Sequence, residues 1–217
     1  MSRGLVGATF ALFTFATLVQ AVAHAGDAVA EMSTRAWLVA GFWALKTGVV
    51  AAFCVAVLRR APAKRPAREP IAFAACAAAI LGAIALRAPE PESSTGMLIA
   101  GEALALVSCA FLLASVLALG TCFGVLPEAR GLVTRGPYRL VRHPVYLGEL
   151  GAFAGLVIGA PTSWNFSVAA VLVAAQLVRM RLEEQALERE FPEYAPYATR
   201  TPRLLPSPIR LRAVEGP

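Results

Sequence analysis

Two polar segments in the second half of the sequence carry the side chains best suited to chemistry. Residues 131–148 read GLVTRGPYRLVRHPVYLG and hold one histidine, two tyrosines and three arginines. Residues 179–188 read RMRLEEQALE and hold Arg179 near the adjacent carboxylates Glu183 and Glu184. Carboxylates accept hydrogen bonds from hydroxyl groups, and a guanidinium forms a bidentate pair with another carboxylate. Together, these groups predict a site for a polar ligand.

The local sequence around three of these residues indicates how they are presented. Arg179 and Glu183 are four residues apart and share one helix face, so they form either an intrahelical ion pair or two parts of a ligand grip. The base precedes the acid, which is the less favourable order for a helical ion pair. His143 precedes a proline, which predicts an extended backbone that turns the ring and the carbonyl towards a pocket.

An apolar hairpin connects the two segments and must bring them together. Apolar runs at 145–159 and 164–178 are separated by Pro161, Thr162 and Ser163. This sequence is typical of a tight turn in which Thr162 or Ser163 caps the returning helix. The antiparallel return of such a hairpin places both polar segments at the same face of a membrane.

The composition requires a membrane around these helices. Of the 217 residues, 58% are hydrophobic and 16% are charged, which excludes a disordered chain and argues against a soluble domain. Apolar blocks of about 16–23 residues have the length that crosses a bilayer. We therefore predict an all-α, polytopic transmembrane bundle of five to six spans. The four blocks before the hairpin are 5–23, 36–58, 71–86 and 97–119.

The basic residues predict the orientation of this bundle. A net charge of +6 would suit nucleic acid, but most of the 20 lysines and arginines flank the apolar blocks on one side. Only Arg35 and Arg87 fall on the other side. This bias predicts that both termini and the polar segments are cytoplasmic, and that nucleic acid is not a partner. Ala23-His24-Ala25 resembles a signal-peptidase site. We expect the first block to be retained as a helix, with a cleaved signal peptide as the alternative.

Ionisable and small residues inside the apolar blocks have competing interpretations. Lys46, Glu102 and Glu149 are candidates for function, for an interhelical pair such as Lys46 with Glu102, or for snorkelling near a helix end. The pair or snorkelling is favoured for Glu102, whereas Lys46 and Glu149 stay undecided. Glycines recur at every fourth position in the fifth block: Gly151, Gly155 and Gly159. They predict close helix packing rather than nucleotide binding. The four cysteines form no CxxC pair, so we expect small buried side chains and no metal site.

The order RHPxY, hydrophobic stretch, EE and then FPEYAPYATRTPRLLP resembles the isoprenylcysteine carboxyl methyltransferase and phospholipid methyltransferase superfamily. The resemblance covers residues 120–206. It divides the chain into N-terminal transmembrane helices, 1–119, and a C-terminal methyltransferase region, 120–217. It implies an integral membrane methyltransferase that uses S-adenosylmethionine without a Rossmann domain.

The same resemblance implies roles for individual residues. Arg179 matches the arginine that acts on the substrate carboxylate in the prenylcysteine enzymes, and it is the candidate catalytic residue. The implied cofactor-binding residues are Gly131, Leu132, Val133, Tyr138, His143, Pro144, Val145, Tyr146, Glu183 and, in a supporting role, Glu184.

The motifs leave the methyl acceptor open. The sulfonium of the cofactor makes its methyl group electrophilic, so the protein must hold a nucleophile in line and exclude water. A carboxylate acceptor needs no base, whereas a phenol, amine or thiol must lose a proton, for which His143 or a glutamate could serve. Expected acceptors are lipophilic or small molecules, namely an isoprenylcysteine-like carboxylate, a phospholipid amine, a lipid phenol or a thiol. The oligomeric state stays open.

Two other functions fit the same features. Membrane sterol reductases carry a similar C-terminal region and use NADPH, although their chains are usually much longer. A non-enzymatic scaffold or transport subunit would instead use Lys46 and Glu149 to line a path. Binding of the cofactor separates these alternatives from a methyltransferase.

Overall fold

The computed structural model describes residues 3–64, 66–87 and 94–205. Within these ranges the chain forms seven α-helices and no β-strand, which confirms the predicted all-α architecture. The helices are α1 (Arg3–Glu31), α2 (Thr34–Arg59), α3 (Pro70–Ala85), α4 (Thr95–Leu119), α5 (Pro144–Gly159), α6 (Ser163–Glu190) and α7 (Tyr194–Arg200). Two short 3₁₀ turns, Gly120–Cys122 and Gly136–Arg139, lie between α4 and α5.

Four of these helices, α1, α2, α4 and α6, are long and apolar enough to cross a membrane. The two shorter apolar helices, α3 and α5, have 16 residues each and rise about 24 Å, against a hydrocarbon core of about 30 Å. Within the described residues there are thus four candidate spans and two shorter apolar helices, where the sequence predicted five to six spans. Large apolar side chains such as Leu12, Phe15 and Val107 are 65–70% exposed, as contact with lipid requires. The chain is therefore a multi-pass membrane protein.

Two helices run further than the apolar blocks predicted, and one begins as predicted. Thr162 Oγ1 accepts a hydrogen bond from the Asn165 amide at 3.1 Å, which is the expected cap of α6. α6 then continues without a break through the polar segment 179–188. α1 likewise continues beyond the predicted block to Glu31. One continuous helix, α6, thus carries both a membrane span and the second polar segment.

Small residues on α4 and α5 let the two backbones approach closely, as predicted for the glycine series of α5. A Cβ on Gly155 would lie 2.5 Å from the Gly101 carbonyl oxygen and 2.7 Å from the Ala105 nitrogen. A Cβ on Gly148 would lie 2.7 Å from the Cβ of Leu112. In the described part of the chain, α4 and α5 make the most extensive helix contact. This contact fixes the start of α5, where the first polar segment ends.

A single methyl group added at this contact is expected to destabilise the protein. In Gly155→Ala the new Cβ meets backbone atoms of α4, which cannot move aside as a flexible side chain would, and such overpacking costs about 1–3 kcal/mol. The matched control is Gly26→Ala in α1, where a Cβ meets no atom within 4 Å. Thermal unfolding in detergent should show a lower melting temperature for Gly155→Ala only. Equal melting temperatures for the two variants would contradict the close contact.

The charged residues inside α2 and α4, Lys46 and Glu102, contact partners other than each other. Arg35 Nε donates to Glu102 Oε1 at 3.3 Å. The Lys46 ammonium lies 4.4 Å from the centroid of the Trp43 ring, a cation–π contact within α2. Glu102 therefore forms the interhelical pair that was favoured for it, but with Arg35 instead of Lys46. All four cysteines are free thiols, and each is buried or half-buried.

Candidate active site

The hairpin of α5 and α6 brings the two polar segments into direct contact. The Tyr146 hydroxyl donates to Glu183 Oε2 at 2.9 Å. The His143 Nε2 lies 3.0 Å from Glu184 Oε1 and donates to it, because an ionised carboxylate can only accept. The juxtaposition that the sequence predicts at one end of the hairpin is present.

The C-terminal tail closes over this end of the hairpin. The backbone amide of Arg142 donates to the Pro202 carbonyl at 2.8 Å, and that of His143 donates to the Arg203 carbonyl at 3.2 Å. The guanidinium groups of Arg142 and Arg203 both pair with Glu184. A network centred on this one buried carboxylate therefore joins three segments that are distant in sequence.

The backbone of His143 differs from the extended conformation predicted before a proline. Its φ of −124° and ψ of 60° are neither extended nor helical. Its carbonyl accepts the Leu147 amide at 3.0 Å and so caps the first turn of α5. The carbonyl is therefore used by the helix, while the ring reaches Glu184 and lines a cavity.

Two adjoining cavities lie around these segments. The main cavity has a volume of about 210 Å³ and the side pocket one of about 30 Å³. Polar side chains of α5, α6 and the α4–α5 link line one part of the main cavity. Apolar side chains of the neighbouring helices line the other part, namely Phe10, Phe53, Ile80, Ala83 and Phe153.

Most of the residues expected at the site line one or both cavities. Those that line only the side pocket are Gly131, Leu132 and Val133. Those that line both are Tyr138, His143 and Glu183, and those that line only the main cavity are Val145, Tyr146 and Arg179. Pro144 and Glu184 line neither. Pro144 instead begins α5, and Glu184 holds the ring of His143 in place.

Arg179 makes different contacts from the intrahelical ion pair that was one of its two interpretations. Its Nη1 donates to Gln176 Oε1 at 2.7 Å, and its Nη2 donates to the Val125 carbonyl at 3.0 Å. The ion pair that it forms is with Glu149 of α5, at 3.9 Å, while Glu183 is engaged by Tyr146. The guanidinium also lies 5.0 Å from the centroid of the Tyr146 ring. Arg179 therefore belongs to the wall of the main cavity.

Two buried tyrosines, Tyr138 and Tyr194, and the half-buried Tyr197 lie outside the membrane helices and are neutral hydrogen-bonding groups. Burial raises the pKa of Tyr138 well above its ordinary value, and the nearby Glu183 carboxylate raises it further. Burial also raises the pKa of Tyr194 to about 12 and raises the pKa of Tyr197. The Tyr197 hydroxyl donates to the Tyr138 carbonyl at 2.7 Å. These phenols keep their protons at neutral pH and contribute no negative charge beside the side pocket.

Sequence reasoning missed several residues that build the site. Arg142 lines both cavities, and its position beside His143 was the available signal. Glu149 and Gln176 line the main cavity from facing helices, and neither residue belongs to a sequence motif that would have indicated this. Arg203 reaches Glu184 from the tail. In the described residues, no group of three or more His, Cys, Asp or Glu side chains is placed to hold a metal ion.

Two curated proteins are similar to the chain over a short stretch. Over 79 residues the chain is 44% identical to the cobalt-zinc-cadmium resistance protein CzcN of Cupriavidus metallidurans. Over 79 residues it is also 40% identical to the nickel-cobalt-cadmium resistance protein NccN of Alcaligenes xylosoxydans xylosoxydans. Each match covers 35% of this chain and 35% or 36% of the relative. The chain thus spans about a third of the length of these relatives. Both relatives are named as metal resistance proteins.

A family comparison covers more of the chain and includes the site. Residues 90–194 match the model of the phospholipid methyltransferase family. The matched region contains α4, the hairpin and both polar segments, and it agrees with the resemblance carried by RHPxY and EE. Over this region the chain is similar to the membrane methyltransferase superfamily of the phospholipid and isoprenylcysteine carboxyl methyltransferases, and the match supports a membrane enzyme of the methyltransferase type.

Proposed function

We propose that the protein transfers a methyl group from S-adenosylmethionine to a lipophilic acceptor at one face of the membrane. The observation that carries this proposal is the convergence of Tyr138, His143, Tyr146, Arg179 and Glu183 on one cavity. These residues come from the two segments that carry the superfamily motifs. The same cavity has an apolar wall, so a polar cofactor and a lipophilic acceptor can meet in it.

The residues of the side pocket suit the chemical groups of this cofactor. Glu183 offers its second oxygen to ribose hydroxyls, because Tyr146 engages Oε2. Among the described residues, the buried Nε of Arg142 has no hydrogen-bond partner, which suits the carboxylate of the cofactor. Gly131 lets the chain pass Cys122, whose Sγ would lie 2.5 Å from an added Cβ. When bound, S-adenosylmethionine would supply an electrophilic methyl group.

The main cavity suits the acceptor. Its apolar wall of Phe10, Phe53, Ile80, Ala83 and Phe153 would hold a hydrocarbon portion, and Ile80 is half-exposed on the surface of α3, where lipid would lie. Arg179 would orient the polar end of the acceptor. Because the basic residues concentrate on the side of the two polar segments, we place the site and both termini in the cytoplasm. A lipid is therefore the expected partner on one side and a cytosolic cofactor on the other.

Binding of S-adenosylhomocysteine to the purified protein tests the cofactor directly. Its melting temperature in detergent should rise with ligand concentration, because a ligand that binds the folded state stabilises it. The melting temperature is measured in parallel with NADPH, the ligand that the reductase alternative predicts. Labelled S-adenosylmethionine with a panel of lipophilic carboxylates, amines, phenols and thiols then reports transfer. A rise with NADPH and none with S-adenosylhomocysteine would contradict the methyltransferase proposal.

A further inference from the structure

We propose that Glu149 accepts a proton from the substrate that receives the methyl group. This substrate therefore carries a proton on its nucleophilic atom. This inference rests on the proposed methyltransferase function and narrows its substrate class. The acceptor would be a thiol, phenol or amine, written X–H, rather than a carboxylate. The argument begins from the position of Glu149 in the main cavity, where no superfamily motif assigns it a role.

Glu149 lies one turn beyond Tyr146 on α5 and faces α6 across the hairpin. Its side chain is 20% exposed and lines the main cavity together with Tyr146, Gln176 and Arg179. A carboxylate inside a membrane helix is costly to bury, so such a group is by default a candidate for function. Its location between the superfamily residues and the apolar wall is where the reactive end of a lipophilic acceptor would lie.

A relay of hydrogen bonds holds one oxygen of Glu149 and leaves the other available. Gln176 Nε2 donates to Glu149 Oε2, and Arg179 Nη1 donates to Gln176 Oε1 at 2.7 Å. Gln176 is 1% exposed, so its amide is fixed in this orientation between the two charged groups. Among the described residues, the hydrogen bonds to the carboxylate all fall on Oε2. Oε1 therefore keeps its capacity to accept a proton donor from the cavity.

The charges around Glu149 disfavour a carboxylate as the acceptor. Arg179 is the cation beside it, and its terminal nitrogens already donate to Gln176 and the Val125 carbonyl. Glu183 adds a second negative group from α6. The same cavity is also lined by Arg142 and Glu128, which pair with Glu184 and Arg130. Tyr146 and Cys76, which line it too, are neutral in their ordinary states. An incoming anion would meet two carboxylates and one guanidinium, whose Nη1 and Nη2 already donate and whose buried Nε has no partner among the described residues. A neutral X–H group would find an acceptor in Oε1.

The step can be written with its atoms and electrons balanced. The acceptor X–H donates its hydrogen bond to Glu149 Oε1 and directs the lone pair of X at the methyl carbon. The X–C bond forms as the C–S bond breaks, and the electron pair of that bond stays on sulfur. The proton of X–H passes to Glu149 and from there to solvent. The products are X–CH₃, S-adenosylhomocysteine and one proton, and no oxidant or reductant is needed.

The variant Glu149→Gln tests this role because it keeps shape and hydrogen bonding but removes the base. The probes are dodecanethiol, nonylphenol and dodecylamine as X–H acceptors, and N-acetyl-S-farnesylcysteine as a carboxylate. We expect the wild-type protein to methylate at least one X–H probe. Glu149→Gln should then lower kcat at least about 100-fold, the lower end of what a general base contributes. Glu149→Asp should recover part of this loss, and the rise in melting temperature with S-adenosylhomocysteine should persist.

A matched control and a pre-ionised acceptor make the test specific for proton removal. Glu102→Gln changes another glutamate inside an apolar helix, one that pairs with Arg35 and does not line the cavity, and it should leave kcat unchanged. A long-chain thiophenol, largely ionised at mildly alkaline pH, should lose much less activity in Glu149→Gln than dodecanethiol does.

Each remaining outcome counts against a specific statement. Unchanged kcat in Glu149→Gln, or equal losses for the thiol and the thiophenol, would overturn the role of Glu149. Transfer confined to the carboxylate probe, or no transfer to any X–H probe, would overturn the acceptor class. All of these outcomes leave the proposed function intact if S-adenosylhomocysteine still stabilises the wild-type protein. Absence of that stabilisation would remove the proposed function and this inference together.

Discussion

Replacing Glu183 by glutamine is expected to lower the affinity for S-adenosylhomocysteine roughly 10- to 100-fold. A hydrogen bond to a charged group contributes about 1.5–3 kcal/mol, and each factor of ten corresponds to about 1.4 kcal/mol. The glutamine keeps the shape of the side chain and can still accept from the Tyr146 hydroxyl, so the fold should survive. Thermal unfolding at increasing ligand concentration, or calorimetry in detergent, measures the loss.

The control for this change lies five residues along the same helix. Glu188 is exposed and lines neither cavity, so Glu188→Gln removes one charge from α6 without touching the site. Its affinity for S-adenosylhomocysteine should match that of the wild-type protein. Equal affinities for Glu183→Gln and Glu188→Gln would mean that Glu183 does not hold the cofactor.

Replacing Glu184 by alanine is expected to have the largest effect on stability. His143, Arg142 and Arg203 all direct donors at this one carboxylate, and its removal leaves them buried or half-buried without their shared partner. Breaking a buried ion pair from one side costs about 3–5 kcal/mol. Because Glu184 ties the tail to the hairpin, the tail should also open. We expect a lower melting temperature in detergent and faster tryptic cleavage after Arg200.

Glu188→Ala provides the comparison for both measurements, because it shortens an exposed glutamate on the same helix. That variant should melt and resist trypsin as the wild-type protein does. If Glu184→Ala behaved the same way, the contacts of Glu184 would contribute little to the free energy of unfolding. The tail would then be held by its backbone hydrogen bonds alone.

The elements and the meeting of the two segments could be predicted because each has a strong local cause. The apolar runs are long enough to fix six helices, and Thr162 marks the turn that reverses the chain. Once the turn is placed, an antiparallel return brings Tyr146 to Glu183. The spacing of glycines in α5 likewise predicts the close contact with α4, because a missing side chain acts directly on the distance between helices.

The partners of the charged residues could not be predicted, because they depend on rotation and side-chain direction between helices. Arg35 reaches Glu102 and Lys46 turns to Trp43, although sequence position alone permitted Lys46 to meet Glu102. Arg179 similarly turns to Gln176 and away from the residue four positions later. Arg203 enters the site from the tail, which carries no periodic signal of its own.

The continuity of α6 has a consequence for how such an enzyme could change its substrate. Arg179 and Glu183, the proposed acceptor-side and cofactor-side residues, lie on one unbroken helix and are separated by about 6 Å of rise. The distance between donor and acceptor is thus set by helical pitch, with no hinge between the two positions. Inserting one residue between them would rotate one against the other by about 100°. Substitutions around Glu149 and the apolar wall, by contrast, can reshape the part of the cavity that binds the acceptor without moving Glu183 relative to Arg179.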